Sequence, residues 1–237
     1  MIPKIIHYCW FGGNPEPEDV KSCIRSWKRV CPDYEIRRWD EENFDVTAHP
    51  FMKAAYEAKA WAFVSDYARL KVVYDHGGIY LDTDVELVKR LDDVLSNSCY
   101  FGIQQEQLLV ATGLGFGAEA GHVAVGKMLE QYDLAHFDPD NKAPIACPYL
   151  NSAALKPEGF VPEDRMQTVC GAVLYPPRYF DPVGIGDGKD LTCEDTLSVH
   201  HYSASWTGGM QRFKRRIARW IGNRRIIRLK GLLKWKH

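Results

Sequence analysis

Residues 77–84 read Gly-Gly-Ile-Tyr-Leu-Asp-Thr-Asp, and no other run constrains the fold as tightly. A glycine pair stops whatever helix precedes it, three apolar residues suffice for a short core strand, and two carboxylates follow at once. A buried strand can end in two charges where its carboxyl end opens into a crevice. Open α/β sheets place their ligands at that point. The stretch 52–75, rich in Ala and Tyr and free of Gly and Pro, predicts one long helix running into the glycine pair.

The rest of the chain fits the same class. Residues 5–8 predict a short buried strand, and Trp10-Phe11-Gly12-Gly13 with Asn14-Pro15-Glu16-Pro17 predicts a loop. Val20, Cys23, Ile24 and Trp27 recur at helical spacing, and 34–39 predicts a second strand after Cys31-Pro32-Asp33. Downstream, 85–88 continues extended, 91–95 is a short helix, 100–103 a strand, 111–121 a glycine-rich loop and 122–132 a helix. Between 138 and 201 the pattern supports only short strands near 173–175 and 197–201.

Composition sets the class of protein and the setting. With 237 residues, 46% hydrophobic and 26% charged, the chain has globular proportions, which excludes a disordered or fibrous protein. Seven scattered cysteines without a CxxC pair argue against a disulfide framework or a structural zinc site. The absence of an apolar leader pattern or a run of roughly 18 apolar residues leads to the expectation of a cytoplasmic location. The net charge of −1 is unevenly spread: residues 210–237 hold 11 of the 30 Lys and Arg, and the last acidic residue is Asp195. Within that tail Phe213, Ile217, Trp220 and Ile221 follow helical spacing among Lys214, Arg215, Arg216 and Arg219. A basic amphipathic helix of this kind suits the anionic inner face of a cell membrane, to which it would attach the protein peripherally. Packing of the tail on the acidic body is the alternative. A nucleic-acid partner is not expected, because the body is acidic and shows no recognition motif.

Three motifs carry chemistry. Asp82-x-Asp84 offers hard oxygen ligands for a divalent cation. Ser65-Asp66-x-x-Arg69 places a carboxylate and a guanidinium one helical turn apart among Ala62, Phe63, Val64, Tyr67, Ala68 and Leu70, an apolar setting in which charges call for a polar pocket. His200-His201-Tyr202-Ser203-Ala204-Ser205-Trp206 follows an apolar strand, and a His beside two carboxylates makes a mixed site suited to Mn²⁺. Alternation along a strand turns His200 and His201 to opposite sides, so one of them is the third ligand, with His200 the first choice.

In order, Ile-Pro-Lys-Ile-Ile-His-Tyr-Cys-Trp-Phe-Gly-Gly at 2–13, Phe-Val-Ser-Asp-Tyr-Ala-Arg-Leu at 63–70, Gly-Gly-Ile-Tyr-Leu-Asp-Thr-Asp-Val at 77–85 and His-His-Tyr-Ser-Ala-Ser-Trp at 200–206 resemble the family 32 glycosyltransferases. The likeness is to the bacterial capsular-polysaccharide branch, in a family that includes the yeast initiating α-1,6-mannosyltransferase. The glucosylating domain of large clostridial toxins is similar more distantly. The resemblance implies a GT-A fold, a Rossmann-like mixed sheet flanked by helices, over residues 1–209, with 210–237 as the tail. It implies retaining, Mn²⁺- or Mg²⁺-dependent transfer from a nucleotide-diphosphate sugar to a glycan or lipid-linked oligosaccharide, in capsular or other surface polysaccharide synthesis. By this resemblance Trp10 stacks on the nucleobase with Cys9 beside it. Ser65, Asp66, Arg69, Tyr80 and Asp82 contact ribose, phosphate and sugar. Asp82 and Asp84 bind the metal, and Trp206 covers the pyrophosphate or touches the glycosidic oxygen. The implied catalytic set is Asp66, Arg69, Asp82, Asp84 and Trp206.

Two other readings compete. Leu81-Asp82-Thr83-Asp84-Val85 also fits the signature of haloacid-dehalogenase-like phosphatases, whose later acidic motif Gly186-Asp187-Gly188-Lys189-Asp190 only loosely imitates. A catalytically inactive glycan-binding module would keep the fold without needing the whole set of charged residues.

Overall fold

A computed structural model describes residues 1–185 and 189–203. Trp206 and the tail at 210–237 lie outside the described residues. The centre is a seven-stranded mixed sheet built around β1 (Ile5–Cys9), which pairs in parallel with both β2 (Glu35–Trp39) and β3 (Gly78–Tyr80). Next to β3 runs β6 (Phe116–Ala118), antiparallel to it and to β5 (Cys99–Gly102). β8 (Ala172–Tyr175) joins β5 in parallel, and β7 (Gln167–Val169) closes the far edge. The spatial order is β2-β1-β3-β6-β5-β8-β7. A separate ribbon pairs β4 (Val85–Leu87) antiparallel with β9 (Ser198–His200), setting Val85 opposite His200.

Alternation along the strands feeds two cores. Cys9, Tyr80, Phe101 and Leu174 pack against α2 (Pro50–Glu57), α3 (Trp61–His76), α4 (Val123–Leu134) and α5 (Cys147–Leu155). Ile6, Tyr8, Ile79 and Tyr100 pack the other face against α1 (Glu18–Val30) and α6 (Pro177–Phe180). Helix α1 forms because Val20, Cys23, Ile24 and Trp27 make one apolar stripe, with Glu18 and Asp19 in its first turn and Lys28 and Arg29 in its last, the charge order the helix dipole favours. Trp27 also donates its indole N–H to the Val85 carbonyl at 2.8 Å, tying α1 to the ribbon.

The single helix expected over 52–75 is two helices. The chain breaks between Glu57 and Trp61, where Lys59 adopts φ 55°, and Ala60 N–H closes the turn on the Ala55 carbonyl. No Gly or Pro marks this break; tertiary packing of Trp61 against Tyr56 at 5.3 Å accompanies it. The end of α3 is as expected, with Gly77 at φ 64° as its cap. The expected loop at 111–121 instead holds a 3₁₀ turn (Thr112–Leu114) and β6. Its glycines serve close packing: a Cβ on Gly117 would stand 2.7 Å from the Tyr100 ring and 3.2 Å from the Gly78 carbonyl. Helix α5, strand β7 and helix α6 had no sequence assignment.

Candidate active site

The carboxyl ends of β1 and β3, the first half of α3, the start of α5 and the end of β9 surround one cavity of about 680 Å³. Cys9, Trp10 and Phe11 line it from the end of β1, and the loop residues Asn14, Pro15 and Pro17 continue that wall. The Trp10 indole N–H donates to the Asn14 carbonyl at 2.6 Å, which fixes the ring in the wall. Helix α3 contributes Trp61, Phe63, Ser65, Asp66 and Arg69, and the segment after β3 contributes Asp82, Thr83 and Asp84. His200 and Tyr202 close the site from β9.

Arg69 organises the floor. It is 4% exposed and forms an ion pair with Asp66, one helical turn back. Its second terminal nitrogen reaches Asp82 Oδ2 at 3.4 Å, and its Nε donates to the Ser65 carbonyl at 3.1 Å. The guanidinium also lies 5.2 Å from the Tyr80 ring centre, and the Tyr80 hydroxyl donates to Asp82 Oδ1 at 3.0 Å. Asp82 is thus held from both sides of its carboxylate while keeping 23% of its side chain accessible.

Asp84 sits deeper, at 5% exposure. Its Oδ1 takes the His200 Nε2 contact at 3.0 Å, and its Oδ2 accepts from the Ser203 backbone N–H at 2.8 Å and from the Ser203 hydroxyl at 3.2 Å. Tyr202 holds φ 48° to bring Ser203 there, a conformation a bulky residue adopts only against a steric cost. The two aspartates consequently titrate in opposite directions. Burial raises Asp82 above the ordinary carboxylate range, with Arg69 opposing and Asp84 adding to the rise. Burial acts the same way on Asp84, but His200 and the Ser203 donors outweigh it and hold this carboxyl well below that range. Asp66 is pushed up to about 6, chiefly by burial, with Arg69 pulling the other way.

Asp82, Asp84 and His200 each present a ligand atom within 4.8 Å of the others. The donor set fits a divalent cation: two hard carboxylate oxygens and one imidazole nitrogen match Mn²⁺ better than an all-oxygen ion. Electrostatics points the same way. Three carboxylates face one cavity with Arg69 as the permanent cation among them, so an anionic ligand there requires further positive charge.

Every candidate named from the sequence that falls within the described residues, apart from His201, lines this cavity: Cys9, Trp10, Ser65, Asp66, Arg69, Tyr80, Asp82, Asp84 and His200. His201 turns to the opposite side of the ribbon, where its Nε2 meets Glu86 Oε2 at 3.0 Å, so it is not positioned as the third ligand. Of the acidic stretch that the phosphatase reading uses, Asp187 lies outside the described residues, and Asp190 accepts the Thr192 backbone N–H and is not among the cavity-lining residues. Sequence reasoning missed Gln104, Gly113 and the Ala146-Cys147-Pro148 wall. Gly113 was hidden in a glycine-rich run, yet a Cβ there would stand 2.4 Å from Asp82 Oδ2 and 2.8 Å from Arg69 Nη1. For the α5 wall, Pro148 near the helix start was the available signal.

Residues 17–101 match the family described as glycosyltransferase sugar-binding region containing DXD motif. "Inositol phosphoceramide mannosyltransferase 3" of Schizosaccharomyces pombe is 36% identical over 98 residues, 40% of this chain, and the chain spans only 27% of that relative's length. "Uncharacterized glycosyltransferase L373" of Acanthamoeba polyphaga mimivirus is 23% identical over 87% of this chain and 84% of its own. Among solved structures, the one described as "PaToxG Glycosyltransferase" superposes with a TM-score of 0.53 at 20% identity, covering 67% of this chain and 69% of the other. That last likeness is one of fold. The architecture is GT-A, and within the matched residues 17–101 the DXD motif falls at Asp82 and Asp84.

Proposed function

We propose that this chain, a DXD-containing glycosyltransferase region on a GT-A fold, transfers a sugar from a nucleotide-diphosphate donor to a glycan acceptor, with a divalent cation held at Asp82, Asp84 and His200. The observation that carries this reading is the convergence of that donor set with the Asp66–Arg69 pair on one cavity. A nucleotide sugar has an aromatic base, an anionic diphosphate and a hydroxyl-rich ring. The cavity offers, in turn, the Trp10 wall, Arg69 with the cation site, and carboxylates that accept sugar hydroxyls.

The division of labour follows from the hydrogen bonds. Arg69, always protonated, binds phosphate oxygens and holds Asp66 and Asp82 in register. Asp66 and Asp82 accept hydroxyls and fix the sugar's orientation, which favours the reaction by presenting the anomeric carbon in a single pose. When bound, the cation neutralises charge on the departing nucleoside diphosphate. Tyr202 lines the cavity beyond β9, and Trp206, outside the described residues, is assigned to cover the pyrophosphate and exclude water that would otherwise hydrolyse the donor. Retention of anomeric configuration and Mn²⁺ over Mg²⁺ belong to the proposal. So do a role in capsular or other surface polysaccharide synthesis and peripheral attachment to the inner membrane face through 210–237.

A thermal-shift screen of UDP-, GDP- and CDP-sugars with and without Mn²⁺ tests the reading, since a ligand that binds only the folded state raises Tm. We expect cation-dependent stabilisation by one nucleotide class and slow donor hydrolysis in the same mixtures. A folded protein indifferent to all three classes would refute it. The tail assignment is tested separately: deletion of 210–237 should abolish sedimentation with anionic vesicles, and vesicle binding that survives the deletion rejects it.

A further inference from the structure

Between 111 and 118 the chain reads Ala-Thr-Gly-Leu-Gly-Phe-Gly-Ala, and Thr112 is the one polar side chain in that run. Its first residues form the 3₁₀ turn that carries Gly113 into the cavity wall, and the chain leaves through Gly115 at φ 123°, a conformation that favours glycine. The turn's own backbone bond is long, from the Leu114 N–H to the Ala111 carbonyl at 3.3 Å. The position of Gly113 therefore depends on what grips the turn from outside.

Helix α5 supplies that grip. Asn151 is fully buried, and its Nδ2 donates to Thr112 Oγ1 at 3.0 Å and to Cys147 Sγ at 3.4 Å. Thr112 Oγ1 and Cys147 Sγ lie 3.4 Å apart, which closes a triangle of polar atoms behind the cavity wall. One residue on, the Ser152 hydroxyl accepts the Val110 N–H at 2.9 Å. α5 thus holds the chain at 110 and 112, just before Gly113 meets the site. Core strength is not what this cluster adds: Asn151 Oδ1 is buried without a hydrogen-bond partner among the described residues, a cost that a leucine of similar size would not carry. What the amide adds is direction, since a hydrogen bond ties the turn to one point where apolar packing would let it slide.

Gly113 stands at the far end of these contacts. It lies so close to the two charged groups that a Cβ would stand 2.4 Å from Asp82 Oδ2 and 2.8 Å from Arg69 Nη1. A turn that slid toward the pair would displace it, and one that slid away would leave both side chains room to move. We propose that Asn151 is a positioning residue that, through the Thr112 hydroxyl, holds Gly113 against Asp82 and Arg69 and keeps those two side chains in register for the donor. This rests on the reading of Asp82 and Arg69 as donor-binding groups. Asn151 and Thr112 are not among the cavity-lining residues, so both act through the turn.

Thr112→Val and Asn151→Leu remove the same hydrogen bond from opposite ends while nearly keeping side-chain size. The assay is hydrolysis of the UDP-, GDP- or CDP-sugar that stabilises the wild type, run well below each variant's own Tm. Each change should lower kcat about 10–100-fold and move KM far less, because the displaced groups orient the sugar. The double variant should lose no more than either single one, since both act on one bond. Thr112→Ser, which keeps the hydroxyl, should restore turnover. Wild-type kcat in either folded variant overturns the proposal, as do losses that multiply in the double variant or a Thr112→Ser protein as slow as Thr112→Val. Hydrogen exchange, measured without donor or cation, gives a second readout: amides 112–114 should exchange roughly 2–10-fold faster in Thr112→Val, the worth of one hydrogen bond, and unchanged exchange rejects the proposal. Wild-type protein that neither binds nor hydrolyses any of the three nucleotide sugars would instead remove the transferase reading, and the exchange rates would still decide whether Asn151 fixes the turn.

Discussion

Gly113→Ala is the sharpest single perturbation of the site, because one methyl group would enter the space between its two charged partners. The added Cβ would stand 2.4 Å from Asp82 Oδ2 and 2.8 Å from Arg69 Nη1, against ordinary contacts near 3.4–4 Å. Neither neighbour yields freely. Asp82 is a short side chain pinned by the Tyr80 hydroxyl, and Arg69 is held by Asp66 and the Ser65 carbonyl. Overpacking of this kind costs about 1–3 kcal/mol, and the carboxylate must shift by roughly an ångström to relieve it. A displacement of about 1 Å in a positioning group lowers rate on the order of 100-fold. The expected result is therefore a modest loss in urea-unfolding stability with a disproportionate loss in kcat/KM for donor turnover. Wild-type turnover and wild-type donor affinity in a folded Gly113→Ala protein would refute the assignment of Asp82 and Arg69 as a fixed pair.

Other outcomes follow from the same geometry. His200→Ala should weaken Mn²⁺-dependent stabilisation in a thermal-shift assay, whereas His201→Ala, whose imidazole faces Glu86, should leave it within error; equal losses would contradict the ribbon's register. His7 accepts the Trp39 indole N–H at 3.0 Å on Nδ1 and meets the Gly77 carbonyl at 2.8 Å through Nε2, and burial lowers its pKa to about 4 from 6.5. The unfolded chain thus binds the extra proton between those values, so His7 contributes stability in full above about pH 6.5 and loses about 3 kcal/mol as pH falls to 4, a slope that His7→Gln should flatten in urea titrations. Lys59→Gly should stabilise the protein by about 1 kcal/mol, because glycine accepts φ 55° without the Cβ clash; unchanged or lower stability by urea unfolding would mean the break between α2 and α3 carries no strain.

The parts of this molecule legible in its sequence are those where local chemistry and tertiary structure agree. β3 was readable because Ile79 and Tyr80 are flanked by a helix-capping glycine and by charges that need a crevice, and α1 because Val20, Cys23, Ile24 and Trp27 form a single stripe. Asp66 and Arg69 stood out as charges in an apolar helix, and they are buried together. The break at Lys59 was silent because an ordinary residue, not a Gly or Pro, takes the left-handed conformation there. β6 was hidden because its glycines, which usually mark loops, are there to let Tyr100 and the Gly78 backbone approach.

The ribbon of β4 and β9 also sets an order of assembly. Every strand of the seven-stranded sheet is complete once the chain has emerged to Tyr175, so the cavity wall, the Asp66–Arg69 pair and both aspartates can be in place while the last donor is still unmade. His200 reaches Asp84 only when a three-residue strand returns across 116 positions of sequence to pair with another of the same length. So short a two-stranded element has little stability of its own. A chain still being synthesised therefore carries both aspartates before it carries His200, and the proposed cation site is complete only once the ribbon has paired.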